Sequence, residues 1–125
     1  MVATPIGNLG DITYRAIEIL KSVDAVLAED TRQTKKLLDH YEIDKKLIPF
    51  HLHNEHKTLA SVIQRLQNGD QLALCSDAGT PGISDPGYLL IREVIENNIA
   101  VETLPGATAA IVALVNSGLP CDTFL

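Results

Sequence analysis

The chain has 125 residues, 46% hydrophobic and 4% aromatic, with no Trp and a formal net charge of −6. That length suits one domain with one core, and the apolar fraction excludes a disordered chain. The negative balance excludes a basic platform for nucleic acid within this segment, though a partner domain could supply positive surface to an RNA substrate.

Met1-Val2-Ala3-Thr4 reads as a short first strand running into the turn residues Pro5-Ile6-Gly7-Asn8. Ala16, Ile19, Leu20 and Val23 fall at i, i+3, i+4 and i+7, which predicts an amphipathic helix after the turn at 7–11. Ala25 to Ala28 is a short apolar strand, broken by Glu29-Asp30-Thr31-Arg32. Asp30 with Gln33 fits a capping box that opens a helix carrying Leu37, Leu38 and Tyr41. Leu47-Ile48-Pro49-Phe50 is a third strand, and its proline assigns it to a sheet edge or a strand end. Leu59, Val62, Ile63 and Leu66 mark the next helix, closed by Asn68-Gly69. Gln71 to Cys75 is a fourth strand. Asp85 as a cap and Pro86 as the first helical residue open a helix that runs to Asn98. Ile99 to Leu104 is a fifth strand, and Pro105-Gly106 leads into an alanine-rich helix from Ala107 to about Ser117.

Alternating strands and helices with continuous apolar strands predict an α/β domain: a five-stranded, mainly parallel sheet flanked by helices on both faces. Right-handed crossovers place all strand-exit loops on one edge, where open sheets bind small molecules. Four such loops are rich in small and polar residues: Thr4 to Asn8, Glu29 to Arg32, Asp77 to Asp85, and Pro105 to Thr108. The third is the most informative, because Gly79, Gly82 and Gly87 remove side chains where a ligand could approach the backbone.

No phosphate-binding glycine motif follows any strand, which argues against nucleotide hydrolysis and standard dinucleotide binding. Without a G-x-S-x-G elbow, Ser76 and Ser84 are poor nucleophiles. His51, His53 and His56 gather possible metal ligands, yet no matching spacing occurs elsewhere and both cysteines lie in other segments. A strand exit with Asn54 capping the next helix is the better reading, and no metal is expected. At Glu29-Asp30-Thr31-Arg32, a capping box with a surface ion pair explains the residues as well as a functional role does. Cys75 and Cys121 make no disulfide framework, which suits a reducing cytoplasm. No apolar run approaches a membrane span, and no basic-then-apolar leader opens the chain. The stub of a first strand and the apolar Thr123-Phe124-Leu125 suggest one domain of a longer protein.

Taken together, Val2 to Thr13, Ala28 to Arg32, His53 to Glu55, Ser76 to Pro81 with Asp85 to Gly87, and Leu104 to Gly106 resemble the tetrapyrrole methylase family. Within it, they are most similar to the branch that modifies 16S ribosomal RNA, and the likeness runs in order over essentially the whole chain. The resemblance implies a two-domain enzyme that binds S-adenosyl-L-methionine in the cleft between its domains. Residues 1–125 would be the amino-terminal domain, with the carboxy-terminal domain outside this sequence. It implies methyl transfer to a cytidine ribose 2′-hydroxyl in the decoding centre of 16S rRNA, in the small ribosomal subunit. Cofactor contacts carried over from the family fall on Ile6, on Asp77, Ala78, Gly79 and Thr80, and on Thr108 and Ala109.

The first loop, Thr4-Pro5-Ile6-Gly7-Asn8, departs from the Gly-x-Gly-x-Gly-Asp form of tetrapyrrole-acting relatives and so favours the RNA branch. A tetrapyrrole or protein methylase of the same fold, and a non-catalytic binding module, are the rival readings. Methyl transfer is a displacement that is served by aligning nucleophile, methyl and leaving sulfur. The candidate catalytic residues on the RNA side are Asp30, Arg32, His53, Asn54 and Glu55. Asp30, Glu55 or His53 could accept the ribose proton, while Arg32 could hold a phosphate or orient a carboxylate. A homodimer is expected, with no membrane contact.

Overall fold

The structure is a computed structural model that describes residues 1–83 and 85–124. Ser84, read as a loop residue, and Leu125, read as part of an apolar end, lie outside the described residues. Three strands, β1 (Ala25–Ala28), β2 (Leu47–Pro49) and β3 (Leu72–Cys75), form a parallel sheet in the order β2-β1-β3. Val26 stands opposite Leu47 and Ala73, and Ala28 opposite Pro49 and Cys75. Among the described residues five α-helices accompany them: α1 (Tyr14–Ser22), α2 (Thr31–His40), α3 (Glu55–Gln67), α4 (Tyr88–Glu96) and α5 (Ala109–Asn116). Among the described residues no helix is long and apolar enough to cross a membrane.

Side chains alternate across a strand, so successive core residues serve opposite faces. Val26, Ala73 and Cys75 pack with Ala16, Leu20 and Leu38, which places α1 and α2 on one face. Leu27 and Leu74 pack with Val62, Leu90 and Val94, which places α3 and α4 on the other. All four residues of β1 are buried, as a central strand covered on both sides must be. Pro49 ends β2 at the edge of the sheet, where its missing N–H costs no ladder bond.

Among the described residues the sheet has three strands rather than five. The other two segments run as extended chain without a regular ladder. Val2 N–H donates to the Leu74 carbonyl at 3.0 Å, and Thr4 and Gly79 exchange N–H···O bonds of 2.8 and 3.0 Å in an antiparallel bridge. The Met1 amino group donates to the Glu102 carbonyl at 2.7 Å, and Leu104 N–H donates to Met1 O at 3.0 Å. Residues 1–4 therefore lie beside β3, and residues 102–104 beside them. The Val2–Leu74 bond is followed by no ladder with β3, because the chain after β3 turns back to meet Thr4 in the opposite sense. Val101, Glu102 and Thr103 are exposed, so little packing enforces a strand there.

Helix starts differ locally from the sequence expectations. Thr13 Oγ1 caps α1 by accepting from Ala16 N–H at 3.1 Å. Asp30 caps α2, but the Gln33 side chain accepts from Lys36 instead of returning to Asp30 N–H, so the capping box is half formed. Asn54 precedes α3 without capping it. Its amide turns back, accepting from His51 N–H at 2.8 Å and donating to Pro49 O at 3.0 Å. α4 begins at Tyr88 rather than Pro86, because Gly87 at φ +133° cannot continue a helix. Pro86 is instead fully buried in the preceding turn.

Candidate functional site

β1 leads into α2 on one face of the sheet, whereas the neighbouring β3 leads towards α4 on the other. Adjacent strands whose exits part in this way open a crevice at their carboxyl ends. Glu29, Asp30, Ser76 and Asp77 stand at that point. Reciprocal bonds fasten the two exits together. Asp77 N–H donates to Glu29 Oε2 at 3.3 Å, and Asp30 N–H donates to Asp77 Oδ1 at 3.1 Å. Glu29 N–H also donates to the Cys75 carbonyl at 3.3 Å, the last bond between the strands before they diverge.

A cavity of about 270 Å³ opens beside this clasp, between the first loop, α2 and the exit of β3. Thr4, Pro5, Leu9, Thr34, Ser76 and Asp77 are among its walls. The Tyr41 hydroxyl donates to the Leu9 carbonyl and ties the outer part of the first loop to the end of α2. Thr4 Oγ1 donates to the Ser76 carbonyl at 3.2 Å, so the inner part is tied to β3. Thr34 Oγ1 is buried and finds no hydrogen-bond partner among the described residues. Sequence patterning assigned Thr34 and Ser76 no binding role, because both are small polar residues within otherwise structural segments.

The residues expected to hold the cofactor come together in part. Gly79 sits at φ +81°, and a Cβ there would lie 3.6 Å from Ile6 Cγ2 and 3.8 Å from the Ala107 carbonyl. The first, third and fourth of the four loops therefore meet at Gly79. Thr108 stands at the N-cap of α5 with extended backbone and no side-chain cap bond, and Ala109 begins that helix. Asp77 and Ala78 are exposed and Thr80 is half-buried. Asp77 lines the cavity through the clasp just described.

The expected RNA-side residues form two groups. Arg32 Nε and Nη2 donate to both oxygens of the Asp30 carboxylate, the shortest contact being 2.6 Å. Asp30 Oδ1 also accepts Arg32 N–H at 2.8 Å. These bonds to Arg32 hold the Asp30 carboxyl down at about 2, which makes it a poor proton acceptor at neutral pH. Arg32 leaves 86% of its side chain open to solvent. The second group follows β2: the His51 and His53 rings approach edge to face with centroids 6.0 Å apart, and Glu55 is buried at the start of α3. Phe50 N–H donates to the Ala28 carbonyl at 2.8 Å, which brings the two exits alongside each other. No hydrogen bond joins the two groups among the described residues.

The Glu29 carboxyl is perturbed as well. Burial first, then the carboxylates of Asp77, Asp85 and Asp30, push its carboxyl upward, against the opposing pull of the Asp77 N–H bond. Cys75 is buried and its thiol is pushed up to about 12, whereas Cys121 is exposed. Among the described residues no three His, Cys, Asp or Glu side chains are placed to hold a metal ion.

The family model for tetrapyrrole (corrin/porphyrin) methylases matches residues 1–124. A ribosomal RNA small subunit methyltransferase I of Halalkalibacterium halodurans is 54% identical over 124 residues, covering 99% of this chain and 43% of that protein. The protein of the same name from Synechocystis is 54% identical over 125 residues, covering 100% of this chain and 45% of its own. That from Escherichia coli O157:H7 is 52% identical over 124 residues, covering 99% and 43%. The chain thus spans less than half the length of these relatives. With strand exits meeting in one crevice and a family match from end to end, the chain belongs to the tetrapyrrole methylase family.

Proposed function

We propose that residues 1–125 are the amino-terminal domain of an enzyme that methylates a cytidine ribose 2′-hydroxyl in the decoding centre of 16S rRNA. S-adenosyl-L-methionine is the methyl donor of the family. The observation that carries the reading is the meeting of Ile6, Gly79 and Ala107 beside the Asp77 clasp. Gly79 supports a site built from these loops, because its φ of +81°, which L side chains rarely adopt, lets the loop after β3 turn in contact with Ile6 and Ala107. Ile6, Asp77, Ala78, Gly79, Thr80, Thr108 and Ala109 would hold the cofactor through shape and backbone polar groups. When bound, it supplies a methyl group activated by a sulfonium centre.

This chain's own residues then divide the remaining work. A ribose hydroxyl attacks only as its proton leaves, and His53 or Glu55 is better suited to take that proton than Asp30, which Arg32 holds ionised. Arg32 can place a backbone phosphate, with Asp30 fixing the guanidinium. Asn54 shapes the loop after β2 by its bonds to His51 and Pro49. Alignment of hydroxyl and methyl is the main source of rate.

The rest of a full-length protein would complete the crevice, so residues 1–125 alone should not transfer methyl groups. α5 buries none of its residues and exposes Ile111, Val112 and Val115, a surface that suits pairing into a homodimer. The enzyme is placed in the cytoplasm with its ribosomal substrate. The test is transfer of labelled methyl by the full-length protein to 30S subunits and to uroporphyrinogen. Label on the ribose of a 16S cytidine is expected; label on the tetrapyrrole, or on neither, overturns the reading.

A further inference from the structure

We propose that Glu29 is a positioning residue that locks the cofactor loop after β3 to the RNA-side loop after β1, so that the two substrates are held in one register. The proposal rests on the function above for its consequence, but its geometry stands by itself. Glu29 reaches from the end of β1 to accept Asp77 N–H at 3.3 Å, and Asp77 reaches back to accept Asp30 N–H at 3.1 Å. Asp30 in turn holds Arg32. One chain of bonds therefore runs from Glu29 through Asp77 and Asp30 to the guanidinium offered to RNA. Neither β1 nor β3 could align these groups by its ladder, because the strands part at Glu29 and Cys75.

A competing role for Glu29 is proton acceptor, since it is partly buried beside the crevice. The two roles need different atoms. The lock needs only a carbonyl-like oxygen at Oε2, which glutamine keeps; proton acceptance needs the carboxylate, which glutamine lacks. Glutamine also relieves the crowding of Glu29 by the Asp77, Asp85 and Asp30 carboxylates. The lock therefore predicts that Glu29→Gln retains function and Glu29→Ala loses it.

The experiment uses the full-length protein and reads three quantities: amide hydrogen exchange at Asp77 and Asp30, affinity for S-adenosyl-L-methionine by calorimetry, and methyl transfer to 30S subunits. In Glu29→Ala, exchange at both amides should rise and cofactor affinity and turnover should each fall by about tenfold, the scale of one lost hydrogen bond to a charged group. Glu29→Gln should stay within about twofold of the unsubstituted protein in all three. Asp77→Ala combined with Glu29→Ala should release the Asp30 amide no further than Asp77→Ala alone. Turnover in Glu29→Gln as low as in Glu29→Ala overturns the lock in favour of proton acceptance. An Asp30 amide unaffected by Glu29→Ala also overturns it, whatever the enzyme's activity. Absence of methyl transfer by the unsubstituted protein would instead count against the proposed function, since amide exchange needs neither cofactor nor RNA.

Discussion

Replacing Gly106 by Ala should destabilise this domain through a single collision. A Cβ at Gly106 would lie 2.5 Å from Ala3 Cβ, while Ala3 Cα and O stand at 3.7 Å. Carbon atoms prefer about 3.5–4.0 Å, so the loop must retreat from the opening segment of the chain by roughly 1 Å. Ala3 cannot yield by rotating a side chain, and its neighbours Val2 and Thr4 are pinned by their bonds to Leu74 and Gly79. Overpacking of this kind costs about 1–3 kcal/mol. For a domain of this size that corresponds to a fall in melting temperature of roughly 4–12 °C. The structure also names the compensating change. With Ala3→Gly added, the nearest atoms recede to 3.7 Å, an ordinary contact, and most of the loss should return. Only the conformational cost of a glycine in extended chain, about 0.5–1 kcal/mol, should remain. Thermal unfolding of the two single variants and the double variant, followed by circular dichroism, measures the coupling. A melting temperature for Gly106→Ala within a degree of the unsubstituted protein, or no recovery in the double variant, would refute the reasoning.

Carbon-detected NMR titration of the Asp30 carboxyl should give a midpoint near 2, and Arg32→Ala should move it back towards the usual carboxylate range. The lowered value means that this pair favours the fold above the unfolded carboxyl's range and ceases to do so as pH falls through about 2; an ordinary midpoint in the unsubstituted protein would sink the ion-pair assignment. Asp77→Ala in the full-length protein should weaken S-adenosyl-L-methionine binding while unfolding stays cooperative, and unchanged affinity in a folded variant would remove this loop from the cofactor site. Single alanine variants at Asp30, Arg32, His53, Asn54 and Glu55 should depress methylation of 30S subunits with cofactor affinity retained. Full activity in all five would leave these residues as caps and surface pairs only.

Much of the architecture was legible because it follows from periodicity. Val26 and Leu27 face opposite layers as strand alternation requires, and Pro49 marks the sheet edge as its missing donor requires. The shared edge of the strand-exit loops was legible for the same reason. The expected first and fifth strands do not form, since apolar composition does not reveal whether a neighbour offers a full ladder, and Thr4 meets only a doubled-back loop. Asn54 departs from the expected cap because its local pattern serves a cap and a loop closure equally well, and only the fold shows which carbonyl is near. Glu29 stands in the sequence as one of a charged group, with nothing local to single it out. Its bond to Asp77 spans 48 positions, a distance that local patterning does not reach.

The contrast between the two thiols has a practical consequence. Cys75 is sealed in β3 and stays protonated at any pH used for labelling, while Cys121 is open to solvent shortly after α5. A maleimide dye should therefore attach at one position without any cysteine having to be removed. That position follows, along the chain, the apolar helix whose outer face the domain leaves bare. A dye there would report, by its brightness or its tumbling, the arrival of whatever settles on α5.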